Sequence, residues 1–219
     1  MSTAFMVFPL MAGAAVCAGD LVRVLFGEQW MECVPYMRIA CFSLALQPFH
    51  DINLQTIAAL GKGDVFMKLE LIKDTAGLAV ACAFLWQGVL PFMLAMAFMT
   101  APFALVVNTW HNAKFINYPL KEQLADVAGT AVAAGVMALV VAAAGWVFPR
   151  DAAVAVRVGK LAVQTVAGGA VYFALSYVAK AEAMREYALA AEGTFAKRSP
   201  KIAGVFGALA RRLERGGAR

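Results

Sequence analysis

Six apolar blocks succeed one another along the chain, at Ala4–Phe26, Val34–Leu60, Met67–Trp86, Pro91–Trp110, Val127–Phe148 and Val158–Ala179. Each has about the 20 residues that one helix needs to cross a hydrocarbon core. Between Thr75 and Trp110 thirty-six consecutive residues carry no charge, and Gln87-Gly88-Val89-Leu90-Pro91 interrupts them near the middle. A run nearly twice the length of one span, broken by Gly and Pro, predicts two helices joined by a turn. Lipid offers no water to unpaired backbone groups, so the neighbouring segments must be helical as well. The expected fold is an all-α, polytopic membrane bundle of about six helices.

Composition extends this picture over the whole chain. Hydrophobic residues make up 62%, charged residues only 15%, and mean hydropathy is +0.71, far from a soluble average. The chain divides into a membrane domain, residues 1–180, and a basic tail, 181–219. A cleaved signal peptide is the alternative for the first block, because Ala15-Val16-Cys17-Ala18 is rich in small residues, but no Lys or Arg precedes the apolar run. All four tryptophans, Trp30, Trp86, Trp110 and Trp146, fall at predicted span ends, the headgroup level that amphipathic rings favour.

Placing the N-terminus inside puts Lys62, Lys68, Lys73, Lys114, Lys121 and nine residues from Lys180 to Arg219 on the cytoplasmic side, fourteen cations in all, against Arg23, Arg38, Arg150, Arg157 and Lys160 outside. The excess of positive charge favours both termini in the cytoplasm. In the tail, Ile202, Val205, Phe206, Leu209 and Leu213 recur at helical spacing while Lys201, Arg211, Arg212 and Arg215 lie off that stripe. Such a helix would lie on an anionic inner leaflet; a frayed, solvated end is the other reading. No folded basic face with stacking aromatics is evident, so nucleic acid is not an expected partner.

Catalysis is not expected either. The sequence lacks G-x-S-x-G and H-E-x-x-H, and Gly61-Lys62-Gly63-Asp64 lacks the spacing of a phosphate loop. Two histidines and four dispersed cysteines, Cys17, Cys33, Cys41 and Cys82, define no metal site or cofactor. The cysteines read as small apolar fillers.

Polar residues inside the spans carry the candidate chemistry, because an ionisable group at depth costs about 2.5–3.5 kcal/mol on insertion scales and so faces a cavity or a partner. Ser43, Gln47, His50, Asp51 and Gln55 recur every three or four residues on one helix that has Gln47 at its middle and Pro48 to bend it. They form a candidate wall of a hydrated cavity, with His50 and Asp51 able to exchange protons; the plain alternative is a polar seam satisfied by a neighbouring helix. Lys68, Glu70, Lys73 and Asp74 open the third span, with Lys73 and Asp74 roughly 9–11 Å in at 1.5 Å per residue. They suit either mutual pairing or the phosphate of a lipid headgroup. Spans five and six offer small residues, Ala131-x-x-x-Gly135 and Thr165-x-x-x-Gly169, and one clearly polar position, Gln164, which suggests scaffold rather than substrate path.

The order of several short motifs is more specific than any one of them. Leu25-Phe26-Gly27 with Trp30, then Val34-Pro35, Ala58-Ala59-Leu60-Gly61-Lys62-Gly63-Asp64, Leu69-Glu70-Leu71-Ile72-Lys73, Gly88 opening a helix, and Tyr118-Pro119-Leu120-Lys121-Glu122-Gln123 resemble the C-terminal part of Wzx-type lipopolysaccharide and exopolysaccharide flippases, of the multidrug/oligosaccharidyl-lipid/polysaccharide exporter superfamily. The resemblance covers about residues 7–140. It implies movement of an undecaprenyl-pyrophosphate-linked oligosaccharide across a bacterial inner membrane by two helical lobes, without enzymatic chemistry. Such flippases are roughly twice this length, so the implied partners are lipid, lipid-linked oligosaccharide and an N-terminal lobe or partner chain. Lys62 stands where many relatives carry Arg. The alternative from another class is a non-transporting scaffold docked on a glycan-assembly complex.

Overall fold

The computed structural model describes residues 2–116, 120–146 and 154–178, with isolated positions beyond. The proposed tail helix, Tyr118, Pro119 and Arg150 lie outside the described residues. Within them every regular element is helical: α1 (Ser2–Leu25), a 3₁₀ turn (Glu28–Cys33), α2 (Val34–Ala59), α3 (Gly63–Phe84), a second 3₁₀ turn (Leu85–Gln87), α4 (Val89–Ala95), a π-helical segment (Met96–Thr100), α5 (Ala101–Ile116), α6 (Leu120–Trp146) and α7 (Val154–Val178). The predicted break falls where expected. Gly88 has φ 105°, a value that favours glycine, and α4 starts at the next residue with Pro91 in its first turn. The π segment turns the helix without ending it and stacks Phe98 on Phe42 of α2, rings 4.8 Å apart.

Side-chain contacts give the direction of each helix. Val22 packs with Val34 and Ala4 with Phe49, so α2 runs antiparallel along nearly the whole of α1. Phe42 meets Phe98 and His50 meets Asn108, so α4–α5 runs parallel to α2. Gly77 faces Thr100 and only Leu85–Gly88 connects α3 to α4, a link so short that the chain must double back, which makes α3 antiparallel to that pair. Gly13 faces Met137, so α6 runs with α1, while Phe5 meets Tyr172 and Asp20 meets Lys160, so α7 runs against it. Over the described residues the chain therefore crosses the bundle six times in alternating directions.

Four of those crossings, Thr3–Leu25, Val89–His111, Lys121–Trp146 and Val154–Val178, are long and apolar enough to span a membrane. Helices α2 and α3 fall short on apolarity because of Arg38, His50, Asp51, Lys68, Glu70, Lys73 and Asp74. Packing supplies what hydropathy lacks: α2 shares the depth of α1 from Val22 to Ala4, and α3 must return the chain for α4–α5 to run parallel to α2. The four tryptophans are exposed at or near helix ends.

Helix α1 is the hub. On one side it buries Phe5 and Cys17 with Met137, Val141 and Tyr172 of α6 and α7; on another it buries Ala4 with Phe49, Leu105 and Val127. Polar atoms weld these contacts. Pro9 has no N–H to give to the carbonyl of Phe5, and the Tyr172 hydroxyl donates to that carbonyl at 2.6 Å instead. Gln164 donates to the carbonyl of Val141 at 2.9 Å. Close approach of α6 and α7 uses Gly145 and Gly168, where an added Cβ would lie 2.8 Å from Gln164 Nε2 and 2.7 Å from Val141 Cγ2. Gly135 and Gly169 of the predicted small-residue motifs have open space instead, because one step along a helix turns the Cα by about 100°.

Candidate functional site

The polar residues of α2 lie nearer one membrane face than the sequence implies. His50 Nδ1 sits 3.5 Å from Asn108 Nδ2, and Asn108 is three residues from the end of the Val89–His111 span. Asn53 pairs with Gln123, two residues into the Lys121–Trp146 span. At 1.5 Å per residue these levels are only about 3–5 Å inside the apolar ends. Gln47 is at the middle of α2 as a helix, but α2 overhangs α1 at its C-terminal end, so the middle of the helix is not the middle of the membrane. The expected stripe across the membrane centre is therefore a cluster near the mouth of the bundle, on the side that carries the N-terminus.

Two layers make up this region. The inner one is a buried amide network: Asn53 and Gln123 exchange two hydrogen bonds, Nδ2 to Oε1 and Nε2 to Oδ1, each 3.1 Å. Asn53 Nδ2 also lies 3.3 Å from Thr109 Oγ1 and 2.9 Å from the Phe49 carbonyl. The network ties α2, α5 and α6 together. Asn108, fully buried beside it, presents an Oδ1 with no hydrogen-bond partner among the described atoms.

The outer layer holds the predicted residues. Gln47 donates to Asp51 Oδ1 at 3.1 Å, and both are exposed. Lys73 and Glu70 form an ion pair one turn apart on α3. His50 has Lys73, Asp51 and Glu70 as charged neighbours, so α2 and α3 bring His50, Asp51, Glu70 and Lys73 into one electrostatic cluster, with Gln47 attached. The remaining predicted residues stand apart. Ser43 bonds back to the Ile39 carbonyl of its own helix at 3.3 Å. Gln55, Lys68 and Asp74 are exposed; of the α3 carboxylates it is Glu70 that takes Lys73. The cluster presents Gln47 and Asp51 at the surface, with His50, Glu70 and Lys73 half-buried behind them. Crevices of about 320 and 400 Å³ flank α1, one against α6 and α7 and one against α2 and α6.

Sequence reasoning missed Asn53, Asn108 and Thr109 and assigned no site role to Gln123. Asn53 sits one turn from Phe49 and one from Ile57, on the buried face opposite Gln47, Asp51 and Gln55. Asn108-Thr109 is an adjacent polar pair near the end of an uncharged run, and that isolation was the available signal.

Residues 1–35 match a family model described as polysaccharide biosynthesis protein. That segment comprises α1, the first 3₁₀ turn and the opening Val34-Pro35 of α2. No curated protein and no solved structure matches the chain.

Proposed function

We propose that this chain forms one side of the cytoplasmic mouth of a transporter that carries a lipid-linked oligosaccharide across the bacterial inner membrane. The observation that carries this reading is the polar cluster that α2 and α3 form, with Gln47 and Asp51 exposed and His50, Glu70 and Lys73 half-buried behind them, while Gln55, Lys68 and Asp74 are exposed elsewhere on the same two helices. Surface of that kind beside apolar spans is costly against hydrocarbon and favourable against water, a polar ligand or another protein wall. Lys73, held by Glu70, and the freer Lys68 present positive charge to a pyrophosphate arriving at the membrane surface. A sugar headgroup finds amide and carboxylate partners in Gln47, Asp51 and Gln55. The match of residues 1–35 to polysaccharide biosynthesis proteins agrees with this substrate class.

The role is binding and passage rather than catalysis, and it requires a facing wall of further helices around the polar face. The test is leaflet exchange of a fluorescent polyprenyl-pyrophosphate oligosaccharide, in vesicles from cells that make the chain and from cells deleted for it. Deletion abolishes exchange, and Lys73→Gln lowers it by about tenfold or more, the scale of one lost charge-assisted contact, whereas Lys73→Arg retains most of it. Exchange unchanged by the deletion overturns the proposal.

A further inference from the structure

Arg38 reaches the middle of the membrane. With α2 antiparallel to α1 and Val34 against Val22, Arg38 is level with Ala18, and its Nε donates to the carbonyl of Ala15 at 3.2 Å. Ala15 is one residue past the midpoint of the span Thr3–Leu25, roughly 15 Å from the end opposite the mouth. Snorkelling would carry the guanidinium back toward that surface, but the bond to Ala15 turns it inward. Arg38 is exposed, and among the described residues no carboxylate lies within ion-pair distance of it. The acidic groups at that end are committed or shallower. Asp20 faces α7 and is held by Lys160 at 2.7 Å, Glu28 takes Arg23 at 3.2 Å, and Glu32 is exposed in the 3₁₀ turn before α2.

Arg38 lines the crevice of about 400 Å³ between α1, α2 and α6, where it is the one charged residue among those described. All three walls carry small residues: Ala12 and Ala15 on α1, Ala45 on α2, Ala131 and Gly135 on α6. A Cβ at Gly135 would meet nothing within 4 Å. We infer that the crevice seats a transmembrane helix from outside this chain that carries an aspartate or glutamate near its middle, paired with Arg38. A guanidinium at that depth needs a counter-charge, and small residues let a helix backbone come close. Bilayer phospholipids keep their phosphates at the headgroup level and do not supply it, whereas a helix sets a carboxylate at any depth. The exposed carboxylates of this chain do not match the level. Asp51 is near the mouth, and Asp74, three residues before the Gly77 that faces the mid-span Thr100, lies in the mouth's half. The inference stands apart from the transport reading. Gln47 is about 200° around α2 from Ala45, so a helix seated here leaves the polar cluster free and completes a scaffold as well as a transporter. Leaflet exchange tests the one reading and docking the other.

The test uses the full chain in nanodiscs, with Gly135→Cys in a background cleared of native cysteine. Synthetic Leu-Ala transmembrane peptides of about 20 residues carry a central Glu, Gln or Leu and one cysteine a turn nearer the mouth, and disulfide yield under mild oxidation reads occupancy. The Glu peptide cross-links about tenfold more than the Leu peptide. Arg38→Gln removes this preference, and Arg38→Glu transfers it to a Lys peptide, with helix content unchanged by circular dichroism. The peptides on the chain that keeps Arg38 decide the matter even where a variant does not fold. Equal yields for Glu and Leu, or a Glu preference that survives Arg38→Gln, overturn the inference. So does a disulfide between two copies that outcompetes the Glu peptide, or displacement of that peptide by a polyprenyl phosphate, which would make Arg38 a phosphate seat instead.

Discussion

Replacing Asn53 by Leu tests whether buried amides hold α2 to α6. Asn53 is 1% and Gln123 2% exposed, and the two exchange a pair of 3.1 Å hydrogen bonds that no water can replace. Leucine keeps the volume and removes both bonds, together with the contacts to Thr109 and to the Phe49 carbonyl. Interhelical hydrogen bonds in membranes average about 0.6 kcal/mol each and reach about 1.7. Taking the Asn53 partner from the buried Gln123 amide adds about 1–3 kcal/mol of desolvation. Asn53→Leu should therefore cost about 2–4 kcal/mol, and Gln123→Leu a similar amount. Making both changes leaves neither amide stranded, so the double variant should be less destabilised than the sum of the single ones by about 1–3 kcal/mol. The assay is equilibrium unfolding of all four proteins in mixed micelles, followed by far-UV circular dichroism. Additivity within about 0.3 kcal/mol, the behaviour of independent sites, would refute the reasoning.

Gly168→Ala drives a Cβ to 2.7 Å from Val141 Cγ2, a methyl on a stiff side chain, and should destabilise the α6–α7 pair by about 1–3 kcal/mol. Gly169→Ala, one residue on, should be nearly silent in the same unfolding experiment. Tyr172→Phe removes the donor to the Phe5 carbonyl and should cost about 1 kcal/mol; Pro9→Ala restores a backbone donor, so Tyr172→Phe should cost markedly less in that background, and equal cost in both would show that the hydroxyl does not stand in for the missing N–H. For topology, single cysteines at Glu28 and at Lys62, in a background cleared of native cysteine, should react oppositely with an impermeant maleimide on intact cells: Glu28 labelled, Lys62 protected. Reaction at Lys62 would invert the proposed orientation.

What the sequence determined by itself is the class of fold and the number of crossings. Apolar length forces helices in lipid, and the uncharged run from Thr75 to Trp110 with its Gly-Pro break turned where its composition said it would, at Gly88. Those are local properties, carried by propensity, by length and by the missing donors of proline. The polar spacing of Gln47, Asp51 and Gln55 likewise placed them on one side of α2, because a helical period needs no partner to be read. Depth did not follow, since it depends on how far α2 slides past α1, and that is decided by Phe49 seating against Ala4 and Phe8. Nor did the choice of glycines: Gly168 rather than Gly169 meets α6, because the rotation of α7 is fixed by Tyr172 on Phe5 and Gln164 on Val141. Asn53 with Gln123 and Asp20 with Lys160 lie 70 and 140 positions apart in the chain, and nothing local marks either as one half of a pair. Only the packed bundle brings them together, because in a medium without water each buried polar group constrains which helix may lie beside it.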